Sequence, residues 1–130
     1  MEELLVASAE TAMNEICRRA IREGASDIHI EPGRNDVRVC FRRDGLLEER
    51  FLLPKHMAEK LSVRCKVMGR MNVAETRVPQ DGSTLFSDGD GEYDLRLSVL
   101  PSIYGETIVV RILSGQVDFI ERHQLGMLPV

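Results

Sequence analysis

Over residues 92–99 the chain alternates without a fault, with Tyr93, Leu95, Leu97 and Val99 on one side and Glu92, Asp94, Arg96 and Ser98 on the other. A period of two is the mark of a half-buried strand, because successive side chains point to opposite faces of a sheet. Pro101 is expected to stop this strand, and Gly105 to give the following loop a permissive backbone. Residues 107–113 are apolar apart from Arg111 and predict a second strand. A fixed charge among Ile, Val and Leu must reach water, a carboxylate or a bound anion. Arg96 lies fifteen positions earlier on the preceding strand, so the two guanidinium groups are expected to share one region.

The rest of the chain divides by the same test. Residues 3–23 carry Leu5, Ala9, Met13, Ile16 and Ala20 at spacings of three and four, widened by Leu4, Ala12 and Ile21, which predicts an amphipathic helix. Arg18, Arg19 and Arg22 crowd its last turn as a solvated end, and Gly24 supplies the stop. Ile28 and Ile30 alternate with Asp27, His29 and Glu31. After Pro32-Gly33-Arg34-Asn35, a second strand over 37–42 sets Arg38 and Arg42 on one face. Antiparallel pairing would place these bases opposite the acids of the first strand. Arg43-Asp44-Gly45 is a hairpin turn leading to a third strand over 46–53. Pro54 is expected to open a second helix reaching about Met68. Met57, Leu61, Cys65 and Met68 form its buried stripe, Arg64, Lys66 and Arg70 decorate its end, and Gly69 helps to close it. Residues 73–79 read as a connector, Gln80-Asp81-Gly82 as a turn, 83–86 as a short strand and 87–91 as a tight turn. Residues 117–124 suggest a short helix, and 125–130 an exit segment leading into a longer chain. Helices packed on one antiparallel sheet make an α+β fold.

Composition narrows the chemistry. One domain of 130 residues, 43% hydrophobic and 29% charged, is ordinary for a globular protein. A net charge of −4 argues against a sequence-independent nucleic-acid binder, and few aromatic residues are available to stack bases. Cys17, Cys40 and Cys65 are too few and scattered for a disulfide framework or zinc site, and read as reduced thiols inside periodic elements. No apolar run approaches a membrane span, so membrane association would come through a partner. Asp27, His29 and Glu31 align at i, i+2, i+4 as a metal site would, but neighbouring arginines oppose a cation and favour a polar face with ion pairs. Asp88, Asp90 and Glu92 resemble half a calcium loop, and a glycine-rich turn explains them better. There is no GxxxxGK[ST] phosphate loop, nucleophile elbow or HExxH, so a stand-alone hydrolase has nothing behind it.

Four stretches, covering roughly residues 12–126, resemble the hexameric ATPases of type II secretion and type IV pilus assembly, in that family's order and spacing. They are Gly24-Ala25-Ser26-Asp27-Ile28-His29-Ile30-Glu31-Pro32; the arginine strand with Arg38 and the Asp44-Gly45 turn; Arg64 to Met68 continuing to Glu75-Thr76-Arg77-Val78-Pro79-Gln80-Asp81-Gly82; and Arg96-Leu97-Ser98 with Tyr104-Gly105-Glu106 and Arg111-Ile112-Leu113. The resemblance implies a PAS-like amino-terminal domain over residues 1–113, with about six antiparallel strands and two main helices. Residues 114–130 would then lead to a motor domain. It implies that Arg96 and Arg111 reach the phosphates of ATP, with its magnesium, on a neighbouring motor domain. Asp27, His29, Glu31, Arg38, Asp44, Arg77, Gln80, Asp81 and Glu106 are implied as structural signature positions. Expected partners are the protein's own motor domain, the other subunits of a homohexamer and inner-membrane platform proteins, at the cytoplasmic side. The full protein would be an ATP-hydrolysing secretion motor. These 130 residues lack the phosphate loop, acidic boxes and zinc-binding cysteines, and are expected neither to hydrolyse ATP nor to hold a cofactor themselves. The bland alternative leaves both arginines satisfied by Asp94, Glu106 or Asp27, a geometry that the domain by itself can adopt. A free-standing PAS-like sensor or adaptor is the competing reading for the chain as a whole.

Overall fold

In the computed structural model, residues 8–89 and 91–113 are described. The order is α1 (Ala9–Arg22), β1 (Asp27–Pro32), β2 (Asp36–Arg43), β3 (Leu46–Pro54), α2 (Met57–Met68), β4 (Gln80–Ser87), β5 (Glu92–Ser102) and β6 (Gly105–Ile112). The strands form one sheet in the order β3-β2-β1-β6-β5-β4. Every neighbouring pair is antiparallel, and the fold is α+β as the alternation predicts. Leu4, Leu5, Asp90, the 117–124 helix and the 114–130 segment lie outside the described residues.

Both helices contribute to a single core. Met13, Ile16 and Cys17 of α1 and Met57, Leu61 and Cys65 of α2 are buried against Ile28, Ile30, Val39, Leu95, Leu97, Ile108 and Val110 of the sheet. Phe41 and Phe51 add an edge-to-face pair, with centroids 5.9 Å apart at 80°. That geometry is worth about 0.5–1.5 kcal/mol beyond burial. The inward residues of β1, β2, β5 and β6 are those the alternation selects, so Asp27, His29, Glu31, Arg38, Arg42, Arg96 and Arg111 share the opposite, open face.

Several boundaries differ from expectation. Among the described residues this helix begins at Ala9, because Ser8 is extended and its hydroxyl accepts the Thr11 N–H at 3.2 Å; residues 3–7 of the expected helix lie outside them. Its end follows prediction: Gly24 at φ +75° lets Ala25 N–H reach the Ala20 carbonyl at 2.9 Å. Arg18 and Arg19 are not simply solvated. Both pair with Glu15, and Arg19 lies over the Phe51 ring. Pro54 ends β3 instead of opening α2, which an edge strand tolerates. Pro101 does not stop its strand either. It pairs with Glu106 beyond Gln80, the β4 residue opposite Val99, so no β4 ladder bond is lost there. The Asp44-Gly45 turn is as predicted, with φ of +53° and +81° matching the twist of a two-residue hairpin.

Gln80-Asp81-Gly82 is strand, not turn. Gly82 is required by contact: a Cβ there would run into the Gly69 carbonyl oxygen and lie 3.0 Å from the Gly69 Cα. Gly69 closes α2 where an added Cβ would meet the Met71 Cε at 2.9 Å and the Leu97 Cδ1 at 3.2 Å, while Arg70 takes the left-handed position at φ +59°. The two glycines let the end of α2 press directly on β4.

Candidate functional site

A row of charges crosses the open face where four strands run in register. Arg42 pairs with Asp27 across β2–β1, Asp27 with Arg111 across β1–β6, and Arg111 with Arg96 across β6–β5. Asp27 Oδ2 is 3.4 Å from Arg42 Nε, and its Oδ1 is 3.5 Å from Arg111 Nε. Asp94, two residues before Arg96 on the same face of β5, sits 3.4 Å from Arg96 Nη2. The two aspartates are mostly covered, at 13% and 19% exposure, whereas the Arg111 and Arg96 side chains are 68% and 57% exposed. The awkward arginine of the apolar strand therefore reaches both a carboxylate and water.

Two like charges placed directly opposite each other in a sheet repel. The flanking carboxylates reduce that cost without consuming the guanidinium groups. Arg96 donates one of its five N–H groups, at Nη2, to Asp94, and Arg111 forms an ion pair with Asp27 through Nε. The remaining N–H groups project from a rigid sheet as a planar, charge-assisted donor set suited to phosphate oxygens. A magnesium ion has no comparable ligand set here, because Asp27 and Asp94 both face arginines. Among the described residues no group of three His, Cys, Asp or Glu could hold a metal.

The other signature positions scatter by role. Glu31 and Arg38 pair at 3.0 Å, and that hydrogen bond raises the arginine's pKa further. His29 stands between Cys40 and Val109 across the sheet. Arg77, 86% exposed, reaches back to Glu75, whose carboxyl it holds below the usual range. Gln80 staples the connector: its Oε1 accepts the Asn72 N–H at 2.9 Å, and its Nε2 donates to the Asn72 carbonyl at 2.9 Å. Asp81 accepts from the Ser98 hydroxyl at 2.7 Å. The polar face with ion pairs is thus observed. Only Asp27 among these residues joins Arg96 and Arg111.

Glu106 has a different partner from any expected. Lys66, assigned from sequence to the decorated end of α2, is 1% exposed, and its Nζ lies 2.9 Å from Glu106 Oε1. It also donates to the Glu75 carbonyl at 2.6 Å, while the Ser62 hydroxyl donates to Glu106 at 2.5 Å. Ser62 and Lys66 are one turn apart and flank the Leu61–Cys65 stripe. That i, i+4 polar pair, with Glu106 as the one acid of β6, is the signal that could have identified the cluster.

Glu106 also lines a concavity of about 480 Å³ between α2 and the β5–β6 hairpin, with Lys55, His56, Ser102 and Tyr104. No residue of the charge row lines it. The exposed guanidinium groups of Arg96 and Arg111 open to solvent outside this concavity. Among the described residues no helix is long and apolar enough to cross a membrane.

Known proteins resemble this chain over nearly its whole length. The family model described as "Type II/IV secretion system protein" matches residues 3–130. The type IV pilus assembly ATPase PilB of Thermus thermophilus is 42% identical over 127 residues, covering 98% of this chain and 14% of that protein. Type II secretion system protein E of Pseudomonas aeruginosa is 44% identical over 115 residues, covering 88% of this chain and 23% of its own length. The type IV pilus assembly ATPase TfpB of Acinetobacter baylyi is 42% identical over 112 residues, at 85% and 19%. The chain thus spans less than a quarter of the length of these relatives.

Proposed function

This chain belongs to the type II/IV secretion system protein family, and on that footing we propose that it is the PAS-like amino-terminal domain of a secretion or pilus-assembly ATPase. Arg96 and Arg111 carry the reading. They are two exposed guanidinium groups in direct register on a rigid sheet, each meeting one carboxylate and keeping further N–H groups open to solvent. In the longer protein they donate to the phosphates of ATP held, with magnesium, by a neighbouring motor domain. ATP supplies the phosphoryl group that is lost. The arginines contribute fixed positive charge where negative charge builds up, an effect worth several powers of ten when such a group is well placed.

Docking of this face on bound nucleotide couples nucleotide state to the position of the domain. In a homohexamer that coupling passes the state of one subunit to the next, and to inner-membrane platform proteins at the cytoplasmic side. The cross-strand register supports this reading, because guanidinium groups fixed by a sheet move with the whole domain.

The test mixes two inactive forms of the longer protein. One carries Arg96→Ala and Arg111→Ala, and the other a disabled phosphate loop in the motor domain. Mixed oligomers regain partial ATP hydrolysis if the arginines serve a neighbour's nucleotide. Full activity of the arginine variant alone, or no regain on mixing, contradicts the proposal.

A further inference from the structure

Asp27 is a positioning residue for Arg111, we propose, and Arg42 is the group that fixes Asp27; the inference rests on the nucleotide-contacting reading above and names how that contact is prepared. Three residues on three adjacent strands stand in direct register: Arg42, Asp27 and Arg111. The carboxylate divides its two oxygens, Oδ2 to Arg42 Nε and Oδ1 to Arg111 Nε. Arg42 is anchored in turn, its Nη1 donating to the Gly45 carbonyl of the hairpin turn at 3.1 Å. The relay therefore runs from a backbone carbonyl, through two side chains, to the exposed guanidinium.

The geometry explains what the relay does. Arginine is a long side chain that loses considerable rotamer freedom when held in one place. The ion pair at Nε, 3.5 Å long, draws the guanidinium toward Asp27 while leaving both Nη groups unspent, the edge that grips phosphate bidentately. Asp27 also offsets the repulsion between Arg111 and Arg96, so both can be present before any phosphate arrives. Its 13% exposure shields the carboxylate from competing water and salt. Asp27 touches neither nucleotide nor reacting atoms and acts only through Arg111.

The experiment is steady-state ATP hydrolysis by the longer protein as Asp27→Asn, Arg111→Ala and the double variant, with Arg42→Ala as a second perturbation of the relay. Asn keeps the shape and one acceptor but removes the charge. Asp27→Asn is expected to lower kcat about fivefold, the scale of one partly exposed ion pair, with KM for ATP within about twofold. In the Arg111→Ala background the same change is expected to have no further effect. Arg42→Ala is expected to give a smaller loss that disappears once Asp27 is Asn. A role in the fold alone would lower kcat equally in both backgrounds, which overturns the proposal. Wild-type kcat for Asp27→Asn beside an impaired Arg111→Ala overturns the positioning role and leaves the nucleotide reading standing. Wild-type kcat for Arg111→Ala removes the nucleotide reading, and this inference with it. Should Asp27→Asn fail to assemble, Arg42→Ala in wild-type and Arg111→Ala backgrounds reads the same coupling.

Discussion

Arg96 and Arg111 stand directly opposite one another across β5 and β6, each accompanied by one aspartate, at 3.4 Å and 3.5 Å. Replacing either arginine with alanine removes a weak, exposed ion pair and also relieves a like-charge repulsion. The two effects largely offset. The stability of this chain is expected to change by no more than about 0.5 kcal/mol for Arg96→Ala or Arg111→Ala. Urea titration measures it. A loss above about 2 kcal/mol would assign the pair to the fold instead of to a partner.

Lys66 and Glu106 should behave in the opposite way. Lys66→Ala leaves a covered carboxylate and the Glu75 carbonyl without their cation, and is expected to cost about 3 kcal/mol or more. Glu106→Gln retains an acceptor for Ser62 and costs less. The double variant is expected to lose less than the sum of the singles by at least about 1 kcal/mol. Strictly additive losses in denaturant titrations would show that the pair is not coupled.

Gly82→Ala tests the contact between α2 and β4. The added Cβ meets the Gly69 backbone, which cannot rotate away, so a loss of about 2–3 kcal/mol is expected. At Gly33 the nearest atom to an added Cβ is 3.4 Å away, an ordinary contact. Gly33→Ala is therefore expected to stay within about 0.5 kcal/mol. Thermal melting of the two variants separates them, and equal melting temperatures would refute the close-approach argument.

Alkaline stability follows from two buried thiols. Burial pushes Cys17 and Cys65 from 9.0 up to about 12. Both raised values favour the protonated, folded state. The contribution is complete below pH 9, where both states hold the proton. It declines between about 9 and about 12, where only the unfolded chain ionises, at up to about 1.4 kcal/mol per pH unit for each thiol. Replacing both with alanine should flatten the pH profile above 9 relative to wild type. An unchanged slope would mean that the thiols do not report burial.

The sheet was legible because its evidence is local. Strict alternation in 92–99 and 27–31 decides which face each residue takes, and the Asp44-Gly45 turn announces its backbone. The meeting of Arg96 with Arg111 was also foreseeable once both strands were recognised as a hairpin. What stayed hidden depends on distant contacts. Gly82 looks like a turn residue until Gly69 lies against it. Lys66 looks like a helix-end charge until Glu106, forty positions later, lies beside it. Pro54 and Pro101 sit where neighbouring strands end, which no short window reveals. The role proposed for the charge row involves a second surface that the described residues do not include.

The most direct measurement is the ATP turnover of the longer protein carrying Arg111→Ala, taken beside the stability of this chain with the same change. The account predicts a fall in kcat on the order of 10²-fold or more with the stability essentially unchanged. Turnover within about twofold of wild type would contradict it, because a guanidinium group that stabilises phosphoryl transfer cannot be removed at so small a cost.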